Sequence, residues 1–158
     1  IYPVVHSASN GMPLGAEVNI KKQKMLIFDT GVFQRILGLN TANLLIQDDF
    51  NVINKGNIAE LYVGLELLKN TSCYEKAALY YWQREAKSSQ AEVDYVIQLH
   101  DKIIPLEVKS GTKGTMQSMH LFLKEKKSDF GIRLSLENFS ALDNIKVFPL
   151  YAVMNIKT

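Results

Sequence analysis

Two short segments hold the residues best suited to chemistry: Glu92-Val93-Asp94 and, beyond a polar turn, Glu107-Val108-Lys109. Ala91 to Leu99 alternates, with Val93, Tyr95, Ile97 and Leu99 on one face and Glu92, Asp94 and Gln98 on the other beside Val96. His100-Asp101-Lys102 then turns the chain, and Ile103 to Lys109 resumes the alternation, with Ile104, Leu106 and Val108 opposite Pro105, Glu107 and Lys109. Paired as a hairpin, these strands would bring Asp94 and Glu107 to one side of neighbouring chains, with Lys109 two residues further on. Two carboxylates and an ammonium suit metal-assisted phosphodiester hydrolysis. Hard oxygen ligands hold Mg²⁺ or Mn²⁺, and a lysine stabilises charge on the reacting phosphoryl group. The competing reading of the same residues is the wet face of an antiparallel sheet.

The elements around this pair must position it. Asn54 to Leu68 spaces Ile58, Leu61, Tyr62, Leu65 and Leu68 as one helical stripe, with Val63 and Leu67 on the far side, so the helix is expected to be largely buried. Glu60 near its start needs a partner in such company, for which a metal or Lys109 would serve; a second account is the favourable place of an acid in a helix's first turn. Ala77 to Arg84 reads as a strand whose Tyr80, Tyr81 and Trp82 belong to the core. A helix from Thr115 to Lys127 turns Met116, Met119 and Leu123 inward. Its basic end, Lys124, Lys126 and Lys127, together with Lys113 in the Gly-rich turn before it, is the candidate for contacts to a nucleic-acid backbone. Phe130 to Leu136 and Ile145 to Val153 supply further strands, the second placed at a sheet edge on account of Pro149.

Tyr80-Tyr81-Trp82, Glu92-Val93-Asp94-Tyr95-Val96 and Ile104-Pro105-Leu106-Glu107-Val108-Lys109-Ser110-Gly111 together resemble the PD-(D/E)XK nuclease superfamily. The chain is more closely similar to the uncharacterised domain at the C-terminus of a group of prokaryotic AAA+ ATPases. That likeness extends to Lys24-Met25-Leu26-Ile27-Phe28-Asp29-Thr30-Gly31, Gly56-Asn57-Ile58-Ala59-Glu60, Ser118-Met119 and Phe122. The resemblance implies an α/β, restriction-endonuclease-like sandwich with a central mixed sheet flanked by helices. It implies Asp94 and Glu107 as metal-binding acids, Lys109 as the catalytic lysine, and Glu60 as the helix-borne acid. Val93 stands where a proline often precedes the first acid. The expected function is Mg²⁺- or Mn²⁺-dependent hydrolysis of DNA by a domain attached to an ATPase. The alternative is an inactive module of the same fold that docks nucleic acid or regulates that ATPase.

The 158 residues, 47% of them hydrophobic, suffice for one domain with a real core. We divide them into a helical or irregular segment, 1–53, joining a missing ATPase region, and a nuclease-like domain, 54–158. Within the first part, residues 1–24 read as irregular or as a short edge strand, and Met25 to Phe28 as a brief strand. Asp29-Thr30 caps an amphipathic helix, and a short helical turn is framed by Thr41 and Asp48-Asp49. Lys21, Lys22 and Lys24 are read as a solvated face. A first residue of Ile1 rather than Met is read as the mark of a longer protein. A net charge of +2 does not by itself require nucleic acid as a partner. Cys73 is the lone cysteine, read as a buried spectator; this fits a reducing cytoplasm and excludes a disulfide framework or Cys-rich zinc site. No apolar run is long enough to span a bilayer. His6, His100 and His120 are not read as ligands, and oligomeric state stays open.

Overall fold

Alternating apolar side chains build one mixed sheet from β1 (Tyr2–Ser7), β2 (Val18–Leu26), β3 (Leu79–Gln83), β4 (Glu92–Leu99), β5 (Lys102–Val108), β6 (Gly131–Ser135), β7 (Ser140–Leu142) and β8 (Ile145–Pro149). The computed structural model describes residues 1–38, 55–85, 91–111 and 114–156. Eight strands lie in the order β2-β1-β3-β4-β5-β6-β8-β7. The β1/β3, β5/β6 and β6/β8 ladders are parallel, and the rest are antiparallel. The helices are α1 (Thr30–Ile36), α2 (Lys55–Asn70) and α3 (Gln117–Lys126), with 3-10 turns at Leu14–Glu17 and Leu150–Asn155.

Each face of the sheet is covered by its own apolar cluster, which makes the fold α/β as the sequence predicts. On one face α2 buries Ala59, Leu61, Val63, Leu65 and Leu67 against Val4, Tyr81, Tyr95, Ile97, Ile104 and Leu106. On the other, Phe122 of α3 meets Trp82 edge-to-face at 5.2 Å and packs with Val93, Val96 and Leu14. Asp29 caps α1 as expected, its Oδ1 accepting from the Val32 N–H at 2.8 Å.

Strict alternation along β4 fails at one point, and the failure matters for the site. Tyr95 and Ile97 belong to the α2-side cluster, whereas Val93 and Val96 belong to the α3-side cluster, so Val93 does not share a face with Tyr95. The ladder to β3 explains it: Tyr80 lies opposite Val96 and Trp82 opposite Val93, so three steps on β4 match two on β3. The extra residue is a β-bulge at Asp94-Tyr95, and a period-two reading cannot register it.

Other expectations are corrected. Of the two readings of residues 1–24 the irregular one fails and the edge strand holds in part: β1 and β2 form an antiparallel hairpin with β2 at the sheet edge, and β1 inserts beside β3 in the same sheet. The division expected between residues 53 and 54 falls outside the described residues, as does the turn framed by Thr41 and Asp48-Asp49. Pro149 does not mark an edge, because β8 lies between β6 and β7. It is tolerated as the strand's last residue, where a 3-10 turn takes over. Cys73 is exposed, not buried.

Candidate functional site

The β4–β5 ladder ends with Tyr95 opposite Leu106, and Asp94 and Glu107 are the next residues on the two strands. There the side chain replaces the backbone as acceptor: Asp94 Oδ2 takes the Val108 N–H at 2.8 Å. Lys109 continues from β5, its own N–H bound to the Leu134 carbonyl at 2.8 Å, and folds back so that Nζ donates to Glu107 Oε1 at 2.6 Å. Gly114, at φ +146°, lets this happen, since a Cβ there would stand 3.2 Å from Lys109 Cδ. Glu107 is 7% exposed, and its second oxygen, Oε2, is buried without a hydrogen-bond partner. Such an atom is expensive to leave unsatisfied.

Glu60 arrives from the first turns of α2, and its partner is neither Lys109 nor a helix end. Lys24 of β2 places Nζ 2.9 Å from Glu60 Oε1 and 2.5 Å from Glu92 Oε1, with the Tyr81 ring face 5.0 Å away. Lys24 and Glu92 are the residues that sequence reasoning missed. The available signals were an ammonium just before the buried end of β2 and an acid two residues ahead of Asp94.

Burial, followed by the negative charges of Glu60 and Glu107, raises the pKa of Asp94 to about 7, outweighing the Val108 N–H and Lys24. Burial also raises that of Glu107 against the opposing pull of Lys109. For Lys24 burial acts downward, but Glu60 and Glu92 prevail and hold its pKa above that of an ordinary lysine. Burial more than charge thus sets the acidity of Asp94 and Glu107, while Lys24 is held as an ammonium by its two acids.

A divalent cation is the ligand that the resemblance implies. Among the described residues no three His, Cys, Asp or Glu side chains stand together as a metal cage. Mg²⁺ needs none, since one or two carboxylates with water and substrate phosphate commonly hold it. Asp94 and the unpaired Oε2 of Glu107 fit that requirement.

The expected nucleic-acid lysines are not gathered at these acids. α3 starts near Glu92, whose N–H donates to Ser118 Oγ at 3.4 Å, and just past its end Ser128 donates to the Ile103 carbonyl at 2.6 Å, far along β5. Lys124 and Lys127 are exposed toward that far end. Lys126 is half-buried, bonded to Asn10 Oδ1 at 2.6 Å and lying 6.0 Å from the Trp82 ring centre. Lys113 lies outside the described residues. His6 is buried, with Nε2 3.0 Å from the Gln83 carbonyl.

Residues 55–153 match the model of the family described as Domain of unknown function (DUF4143). The chain belongs to this family. DUF4143 domains typically stand at the C-terminus of AAA-like ATPases. The DUF4143 stretch contains Glu60, Glu92, Asp94, Glu107 and Lys109, whereas Lys24 lies outside it. No curated protein and no solved structure matches the chain. Among the described residues no helix is long and apolar enough to cross a membrane.

Proposed function

We propose that this DUF4143 domain is a nuclease of the PD-(D/E)XK type on a restriction-endonuclease-like sandwich, attached to an ATPase and hydrolysing phosphodiester bonds of DNA. The observation that carries the reading is the convergence of Asp94, Glu107 and Lys109 at the end of the β4–β5 ladder, with a buried carboxylate oxygen left unpaired. When bound, Mg²⁺ or Mn²⁺ supplies Lewis acidity, acidifying a water and neutralising phosphoryl charge. Asp94 and Glu107 would hold the cation, and Glu60 would add either a ligand or a carboxylate behind it. The Val108 N–H orients the Asp94 carboxylate, and the Gly114 backbone leaves room for the Lys109 stem. The ammonium of Lys109 donates one bond to Glu107 and retains two further donors for the attacking water or a phosphoryl oxygen. The test is plasmid nicking by the purified protein with Mg²⁺ or Mn²⁺. Asp94→Ala should abolish it while the melting transition persists; an unchanged rate removes Asp94 from the mechanism.

A second reading has its own support. The Lys109–Glu107 ion pair at 2.6 Å and the lack of a three-ligand cluster among the described residues favour an inactive module that docks nucleic acid or regulates the attached ATPase. DNA binding that is equally tight in EDTA and unaffected by Asp94→Ala, without nicking, would select it.

A further inference from the structure

Lys24 comes from the N-terminal hairpin, outside the stretch that defines the family match, yet it is built into the acid cluster. Its backbone is fixed by the β1/β2 ladder, where it lies opposite Val4. Its ammonium has three donors. One meets Glu60 at 2.9 Å and another Glu92 at 2.5 Å, while the Tyr81 ring lies 5.0 Å away. The Lys24 and Glu60 side chains are 25% and 26% exposed, so this bridge is partly shielded from water and is not a surface pair.

The arrangement differs from that of Lys109, which holds one oxygen of one acid. Lys24 spans two carboxylates from two elements, as a bridging metal ion would. Nuclease sites with two cations hold them about 3.5–4 Å apart between shared acidic ligands. Lys24 thus answers Glu60 and Glu92 together, and Lys109 one oxygen of Glu107, while the second Glu107 oxygen stays buried without a hydrogen bond. Arg133, next to Glu107 on β6, is paired with Glu137 at 3.3 Å. The unpaired oxygen is on Glu107, on the side of the cluster that Lys24 does not bond.

We propose that Lys24 is a positioning residue that takes the place of a second cation: it holds Glu60 and Glu92, so that a single divalent ion goes to Asp94 and Glu107. This rests on the metal-binding reading above. It assigns Glu60 to Lys24 and not to the metal.

The test counts Mn²⁺ bound to the full chain by electron paramagnetic resonance titration, alongside melting curves. The wild type should bind one ion. Glu60→Gln should weaken it by less than about tenfold, the low end for an indirect partner, whereas Asp94→Asn or Glu107→Gln should weaken it by more than about a hundredfold. Lys24→Met should admit a second ion, lost again when Glu60→Gln is added. Two ions in the wild type, a single ion in folded Lys24→Met, or a Glu60→Gln loss as large as that of Asp94→Asn each overturns the proposal while the metal site stands. A wild type that binds no Mn²⁺ overturns both. If Lys24→Met does not fold, the wild-type count and Glu60→Gln decide.

Discussion

The Tyr95 hydroxyl donates a 2.8 Å hydrogen bond to the backbone carbonyl of Glu60, thirty-five residues away. It ties the start of α2 to the strand residue next to Asp94, so the helix-borne acid and the strand-borne acid are positioned by a common strut. Burial, then Glu60 and Asp94, raises the Tyr95 pKa well above the ordinary tyrosine value, and the hydroxyl remains a donor. Tyr95→Phe should lower stability by about 1 kcal/mol, the usual worth of such a bond. A urea titration reads this directly, and an unchanged midpoint would show that the strut contributes nothing.

Gly64, one turn beyond Glu60, faces the same hydroxyl. In an ordinary helix interior Gly→Ala stabilises by about 1 kcal/mol. Here the added Cβ would collide with the Tyr95 hydroxyl and Leu26 Cδ1. Gly64→Ala should therefore destabilise, by about 1–3 kcal/mol as overpacked cores do. Adding Tyr95→Phe should recover part of the loss, because the oxygen that is struck is gone; strictly additive losses would refute the shared collision.

Asp94 gives a pH dependence of definite sign. With its folded pKa raised to about 7 from 3.8, the fold favours the protonated acid, and this contribution is complete below the unfolded value and lost as pH rises through the folded one. Asp94→Asn imitates the neutral acid and keeps an oxygen for the Val108 N–H. It should melt above the wild type at pH 8, and the gap should close toward pH 4. A gap constant across that range would exclude the titration of Asp94 as its cause.

How much of this was legible in the sequence depends on the range of the interaction. The β4–β5 hairpin, the placement of Asp94, Glu107 and Lys109, the buried α2 and the cap at Asp29 follow from local patterns. The bulge was not legible, because it is a mismatch between β3 and β4 and neither strand records it alone. Nor was the role of Lys24: in a run with Lys21 and Lys22 it reads as solvated, and only the return of β1 alongside β3 brings it to Glu60 and Glu92. The same long-range pairing turned a stretch broken by Pro3, Gly11, Pro13 and Gly15 into a hairpin at one end of the sheet.

Removing Lys109 probes the other half of the cluster. Lys109→Met leaves both Glu107 oxygens buried without a cation, and severing such a pair costs about 3 kcal/mol. Burial already raises the Glu107 pKa, and the loss of Lys109 raises it further, so the defect should be larger at pH 8 than at pH 5. Melting curves at the two pH values check this. An equal loss at both would point to packing of the Lys109 stem.

The parallel pairing of Val4 with Leu79 also sets an order of assembly. Asp94 and Glu107 meet through a two-residue turn, a closure with little entropy to overcome, whereas the hairpin that carries Lys24 to Glu60 and Glu92 docks on β3 across a far longer stretch of chain. The acids of the hairpin are therefore expected to come together first, and the ammonium that balances Glu60 and Glu92 arrives late. In the interval Glu60 and Glu92 stand without the ammonium that answers their charge in the native sheet. Docking of the N-terminal hairpin, which carries a cation to two acids, is then the step of assembly expected to slow as salt screens the attraction.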